Sequence, residues 1–382
     1  MPDEIRESLP KSVQEKWVLQ LCHGYGMPFH DVARQYAALF AGTEYKVCTV
    51  FLTGKKNEQV AKFVGSDDVV FLENTSKDIR GLKLKQIRQV RELCSKRHYE
   101  FCIAHRFKSV YIATHVANLF VMGVQHAFGG YQRWGRKFYI QRQKKNLALM
   151  GVSNAVRDDI RSCLPKFPQE NIVTLYNRID IQQQKSGLLD REEARRELNL
   201  PDDAFVFANV GRLHPDKDQS TLLKAFADVS KKYPKALLVI VGKGRLEESL
   251  KAEAKALGIE EQTRFTGVVP EASKYFQAFD GYILTSDHEP FGMVLLEAML
   301  AGLPIAACNT GGASEVVCNT GITFELGDFA ELARAMEKIL NITDEERRVA
   351  AQAMEQRLIS HFSDEAVREA FWQLPFVQPF SG

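Results

Sequence analysis

Eleven short apolar runs, separated by stretches of helical character, limit what this chain can fold into. Six come early: "WVLQLC" (17–22), "KVCTVF" (46–51), "VVFL" (69–72), "FCIAH" (101–105), "FVMGVQH" (120–126) and "LALMGVS" (147–153). Five follow residue 200: "FVFANVG", "ALLVIVG", "RFTG", "GYILTS" and "PIAAC". Their apolarity is continuous rather than alternating, so each is expected to be a strand covered on both faces. Strands alternating with helices make an α/β protein with doubly wound parallel sheets. At 382 residues the chain exceeds one ordinary core, so two Rossmann-like domains are expected.

The polar "DIQQQKSGLLDREEARRELNLPDD" (180–203) reads as the connection between them. The first domain is thus expected over residues 1–180 and the second over 181–359. A last helix, about 360–382, is expected to pack back on the first. Open parallel sheets take ligands at the carboxyl ends of their strands, so the cleft between two such domains is the expected site.

The longest strictly aliphatic run, "ALLVIV", is far short of a membrane span. The opening "MPDEIRESLPKSVQEK" is polar and acidic, unlike a signal or transit peptide. Seven cysteines form no C-x-x-C pair and mostly sit in apolar runs, as reduced buried thiols do. A cytoplasmic protein is expected.

Three strand-end stretches could carry chemistry. In "ANVGRLHPDKDQSTLLKAF" (208–226), Arg212 and Lys217 flank a Pro turn before a helix with Leu222, Leu223 and Phe226 inward. A planar fork beside a point charge suits a diphosphate, although a solvated turn is the plain alternative. "VIVGKGRLEESL" (239–250) holds Gly242 in a G-x-G turn that reads first as architecture.

The third is "SDHEPFGMVLLEAMLAG" (286–302). A turn at Pro290–Gly292 should start a helix at Met293, with Gly302 and Pro304 ending it. That leaves the amides of Phe291, Gly292, Met293 and Val294 free at the positive helix end, ready for an anion. Glu289 stands just before the helix and Glu297 eight residues on, near two turns, so both can share a side and meet sugar hydroxyls; a helix cap and a solvent-facing helix residue are the plain alternatives.

These glutamates, with "GRLHPDKD", "VGKGRLEESL", "FTGVV" and "NTGGASEVV", stand in the order and spacing of family-4 retaining glycosyltransferases, which most of residues 204–320 resembles. "CIAHRFKS", "VQHAFGG" and "LMGVSNAVRDDI" are similar, more diffusely, to enzymes that build lipopolysaccharide cores. The resemblance implies the two-domain GT-B fold, a nucleotide-sugar as substrate, and no cofactor or bound metal. It implies that Arg212 and Lys217 neutralise the leaving diphosphate and that Glu297 binds ribose. Glu289, with Phe291 and Gly292, would meet the donor sugar, and Gly242 and Val268 would join the donor contacts. His126 resembles the histidine near the reacting carbon; His105 is a weaker candidate. The first loop departs from the family's Gly-Gly pair, since Tyr25 separates Gly24 from Gly26; an acceptor or phosphate contact is expected there.

Charge is divided. Residues 1–180 hold 28 Lys/Arg against 17 Asp/Glu, or +11, and the remainder 22 against 31, or −9. In "KDIRGLKLKQIRQVREL" (77–93) a helix is expected with Ile79, Leu82, Ile87, Val90 and Leu93 on its inner face. "RWGRKFYIQRQKK" (133–145) sets Arg133, Arg136, Lys137 and Arg142 beside Trp134. Solvated helix faces are one account; a surface for a lipid-linked saccharide acceptor and the anionic inner membrane is the other. No nucleic-acid module accompanies the charge. The expected function is transfer from a UDP-sugar to a lipopolysaccharide-core acceptor, with retention, peripherally at the membrane's cytoplasmic face. The alternatives are a nucleotide-sugar 2-epimerase of the same fold and a non-catalytic sugar-nucleotide-binding protein.

Overall fold

A computed structural model describes residues 15–26 and 29–380. Most of the opening polar stretch, and Met27 and Pro28 of the first loop, lie outside the described residues. The first sheet contains β1 (Lys16–Cys22), β2 (Tyr45–Thr53), β3 (Asp68–Asn74), β4 (Phe101–His105), β5 (Phe120–Gln125), β6 (Leu147–Gly151) and β7 (Ile172–Thr174). The second contains β8 (Phe205–Val210), β9 (Ala236–Val241), β10 (Thr263–Gly267), β11 (Gly281–Leu284), β12 (Ile305–Cys308) and β13 (Ile322–Phe324). Their orders are β3-β2-β1-β4-β5-β6-β7 and β10-β9-β8-β11-β12-β13. The ladders that set the two centres, β1–β2, β1–β4, β8–β9 and β8–β11, are parallel.

All eleven expected strands are present. The two that were missed, β7 and β13, are three-residue strands at sheet edges, too short for a periodic signal. Each sheet reverses its winding direction once, between β1 and β4 and between β8 and β11, which makes those strand ends the crevices of the two sheets.

The chain divides into two compact units, one running to Val124 with Phe138–Leu149, the other made of Gln125–Lys137 and Met150 onward. The second unit therefore holds the whole second sheet together with the segments that follow β5 and β6. Its core is the apolar layer of Phe207, Leu223, Phe226, Leu238, Ile283 and Met336. Leu222, Leu223 and Phe226 are fully buried, as their helical spacing requires.

One expectation needs correction, and the stretch 180–203 is more than a plain connection. It forms the helices Ile181–Ser186 and Arg191–Glu197, and Arg195 is buried, bonding Asp280 at 2.7 Å and the carbonyls of Ala204 and Ala278 at 3.0 Å. A buried arginine must be satisfied at every donor, and nothing in a polar run betrays one that is. The basic helix also begins later than expected, at Leu84. Residues before it turn, so Ile79 is fully buried while Leu82 is 68% and Leu84 69% exposed.

Candidate active site

The loops after β8 and β11 meet at the crevice of the second sheet. After β8 the chain forms a short Pro215–Lys217 turn and enters the helix Gln219–Lys232. After β11 it passes Thr285 to Gly292 and enters the helix Met293–Leu300, with Gly292 at φ 93° before it and Gly302 at φ 70° after it. The expected helix and both of its end signals are present. Thr285 Oγ1 donates to Lys217 O at 2.7 Å, and Asp287 N donates to Asp216 O at 3.0 Å. The two loops are stitched by one side-chain bond and one backbone bond.

That stitching brings Lys217 to Glu289. Lys217 Nζ donates to Glu289 Oε2 at 2.7 Å, with both side chains largely buried. Arg212, 71% exposed, reaches Asp216 at 3.2 Å, and His214 bonds the same carboxylate. Burial opposes charge on Asp216, but His214, Lys217 and Arg212 outweigh it and hold its carboxyl below the ordinary value. Three basic side chains and two carboxylates thus share one strand-end cluster.

Glu297 lies about one turn into its helix and is half-buried. Burial raises the pKa of Tyr282, and the charges of Glu289 and Glu297 both add to it. Both carboxylates are near enough to act on this one buried phenol. The Gly311–Gly312 turn closes the same loop: Gly312 N donates to Glu289 O at 2.7 Å. A Cβ on Gly311 would stand 2.3 Å from Glu289 O, and one on Gly312 would stand 2.4 Å from Pro290 O. No side chain fits at either position.

Gly242 and Gly244 serve architecture. A Cβ on Gly242 would meet Gly211 O at 1.8 Å and one on Gly244 would meet Leu213 O at 2.1 Å. Val268, in the loop after β10, is 64% exposed. His126 follows β5 and is half-buried. Two residues on, Phe128 contacts His288 edge-on at 6.2 Å and lies beside Gly311, so the loop of His126 is brought against the loop of Glu289.

The first sheet's candidates are arranged differently. Tyr25 packs edge-on against Phe51 and Phe71, and its hydroxyl donates to Lys55 O at 2.9 Å. Gly24 lies against Thr53, and Gly54, at φ 102°, makes room for the Tyr25 ring. His105 is buried, with Nε2 at 3.2 Å from Gln20 Nε2 and its ring edge-on to Tyr36.

The basic stretch 77–93 and residues 138–145 lie in the first unit, while Arg133–Lys137 belong to the second. Lys83 lies over the Tyr111 ring at 4.8 Å, Tyr111 packs on Tyr139 at 4.7 Å, and Arg142 covers Phe138 at 3.9 Å. Trp134, 78% exposed, opens the helix Trp134–Ile140. Arg136 donates to Gly130 O at 2.9 Å, a structural bond. Among the described residues no helix is long and apolar enough to cross a membrane.

The crevice of paired Lys217 and Glu289 lies within the segment that matches a known family, described as glycosyl transferases group 1, over residues 190–356. The lipopolysaccharide core biosynthesis glycosyltransferase LpsE of Rhizobium meliloti is 30% identical over 187 residues, 48% of this chain and 54% of that protein. The chain spans about half the length of the curated relatives it matches. A glycosyltransferase structure from Rickettsia africae superposes with a TM-score of 0.81 at 16% identity, covering 93% of this chain and 96% of that one. Anabaena HepE in complex with UDP and glucose gives 0.76 at 18% identity, covering 96% and 99%. The fold of the chain is that of GT-B glycosyltransferases, two Rossmann-like α/β sheets. Glu315, which enters below, went unread within "NTGGASEVV". A carboxylate in a short helix carries no signal until its partners are known.

Proposed function

We propose that this chain is a retaining glycosyltransferase that moves a sugar from a UDP-sugar to a lipid-linked saccharide acceptor of the lipopolysaccharide-core type. The observation that carries the reading is the 2.7 Å pair of Lys217 and Glu289 at the crevice of the second sheet. A loose, oxocarbenium-like transition state needs the departing diphosphate stabilised, and Lys217, Arg212 and the helix start at Met293 can supply that. Before donor binds, Lys217 and Glu289 hold one another in place. A diphosphate competes for Lys217 and leaves the Glu289 carboxylate to accept from a sugar hydroxyl. Glu297 takes the ribose, Val268 and Gly242 border the base, and His126 faces the reacting carbon. The diphosphate itself takes the acceptor's proton, so the site works without a metal.

In this reading residues 1–180 hold the acceptor and 181–359 the donor, in keeping with the charge split. Arg142 with exposed Leu82 and Leu84 on the first unit, and Arg133, Lys137 and exposed Trp134 on the second, are the basic and apolar groups each offers to anionic lipid. Gly24 and Gly26 border the acceptor; His105 supports them from the core.

The test is a panel of UDP-, GDP- and dTDP-sugars scored first by thermal shift and then by transfer to lipopolysaccharide-core saccharide, with and without EDTA. A UDP-sugar should stabilise the protein and be consumed only with acceptor present. Epimerised donor without acceptor, or binding without turnover, would replace this reading with one of its alternatives. Loss of transfer in EDTA, restored by Mn²⁺ alone, would remove the metal-free mechanism.

A further inference from the structure

The Gly311–Gly312 turn that fixes the backbone of Glu289 is itself held from the far side, and Glu315 is what holds it. The helix Asn154–Cys163 begins with amides that no helix carbonyl can accept from. Ser153 Oγ takes one, from Val156 N at 3.1 Å. The two before it go to a single carboxylate: Asn154 N donates to Glu315 Oε2 at 2.8 Å, and Ala155 N to Oε1 at 2.7 Å. A carboxylate spanning two amides at the positive end of a helix makes a charge-assisted, directional contact.

Further contacts pin the same residue. Tyr176 Oη donates to Glu315 Oε2 at 3.1 Å while its ring packs 6.0 Å from that of Phe291. Arg357 takes the Val316 carbonyl through Nε at 2.7 Å and the Glu315 carbonyl through Nη2. Three residues before Glu315, in the short helix Ala313–Val317, the turn presents Gly312 N to Glu289 O. A continuous path of named bonds therefore runs from the start of one helix, through Glu315 and the glycine turn, to the carboxylate that Lys217 meets.

We propose that Glu315 is a positioning residue: by capping the helix Asn154–Cys163 it holds the Gly311–Gly312 turn where it registers Glu289 and Lys217 against the loop of His126. Only the kinetic part of the test rests on the functional reading above. A glutamine at 315 keeps the shape but turns an NH₂ toward one of the two amides, donor against donor. An aspartate is one methylene short and reaches one amide.

The experiment compares full-length Glu315→Gln, Glu315→Asp and Tyr176→Phe with Ile339→Val, a buried substitution elsewhere in the second unit that lowers Tm without touching this path. Two quantities are measured well below every Tm: hydrogen exchange at the Gly312 amide, and kcat and KM with a UDP-sugar. Glu315→Gln should speed Gly312 exchange and lower kcat by about tenfold to a hundredfold while donor KM moves less than about threefold, the signature of misplaced groups. Glu315→Asp should fall between it and the parent. Ile339→Val should leave both quantities alone. If Glu315→Gln fails to fold, Tyr176→Phe, which removes one bond to the carboxylate, must still speed Gly312 exchange. Exchange and kcat in the Glu315 variants equal to those of Ile339→Val would overturn the proposal. A parent that transfers no sugar from any donor would sink the functional reading instead, and the exchange measurement would still decide the role of Glu315.

Discussion

The two sheets reverse direction at equivalent places, β1 beside β4 and β8 beside β11, yet the strand ends there are filled in opposite ways. At the second crevice charged side chains pair with one another, Lys217 with Glu289 across two loops and Arg212 with Asp216 within one. At the first, polar groups turn inward. His105 joins Gln20, which in turn accepts from Thr49, and Tyr25 fills an apolar cluster beneath its own loop. A strand-end position says where a ligand can come. Whether the residues there are used up by the core says what remains for the ligand to meet.

The sharpest way to break this contrast is at Lys217. Lys217→Ala should leave the fold intact and cut transfer by about two to four orders of magnitude, with Arg212→Ala acting in the same direction, because charge stabilisation of a transition state is lost. Steady-state kinetics and circular dichroism check it, and near-normal turnover in both variants would erase the distinction between the crevices. The mirror experiment is His105→Leu. Leaving the Gln20 amide with only its bond to Ala33 O should cost about 1–3 kcal/mol in chemical denaturation, while turnover per folded molecule stays close to the parent. The reverse pattern would move His105 into the working site.

His23, directly after β1, sharpens the comparison through pH. Burial, with Lys108 and Arg106 acting on its ring, pushes its pKa down to about 4. The unfolded chain takes up that proton near pH 6.5, the folded chain only near 4. Between those values the unfolded state binds more protons, so stability falls as pH falls. Melting curves of His23→Gln should decline less than those of the parent across that window; parallel curves would clear His23 of the effect. The smallest change is expected from Leu82→Ser with Leu84→Ser, whose exposed side chains should shift stability by no more than about 0.5 kcal/mol. Their effect should appear in sedimentation with anionic vesicles, and unaltered vesicle binding would remove these leucines from the lipid-facing surface.

The contrast also explains what the sequence disclosed. Strands were legible because burial on both faces leaves uninterrupted apolar runs, and β7 and β13 escaped because three residues at an edge leave none. The Glu289 loop was legible because its helix start, its glycines and its spacing to Glu297 all agree. Arg195 and Glu315 were not, since a charged residue reads as solvated until its partners arrive from distant parts of the chain. Leu82 was misplaced for a related reason: helical spacing continues on paper through residues where the backbone turns.

The glycines that back the second crevice have a consequence for anyone who would re-engineer this protein. Gly211 N donates to Val241 O, Leu213 N to Lys243 O, and Gly242 N to Gly267 O, so three successive loops share one shelf of main chain with no space for a side chain between them. Val268 stands at one end of that shelf and Arg212 at the other. If the proposed donor site is right, a graft that exchanges the loop around Val268 to alter base preference would carry its displacement through main chain alone to the cationic turn. Nucleotide choice and turnover are therefore expected to change together, and directed evolution of one should be screened for the other.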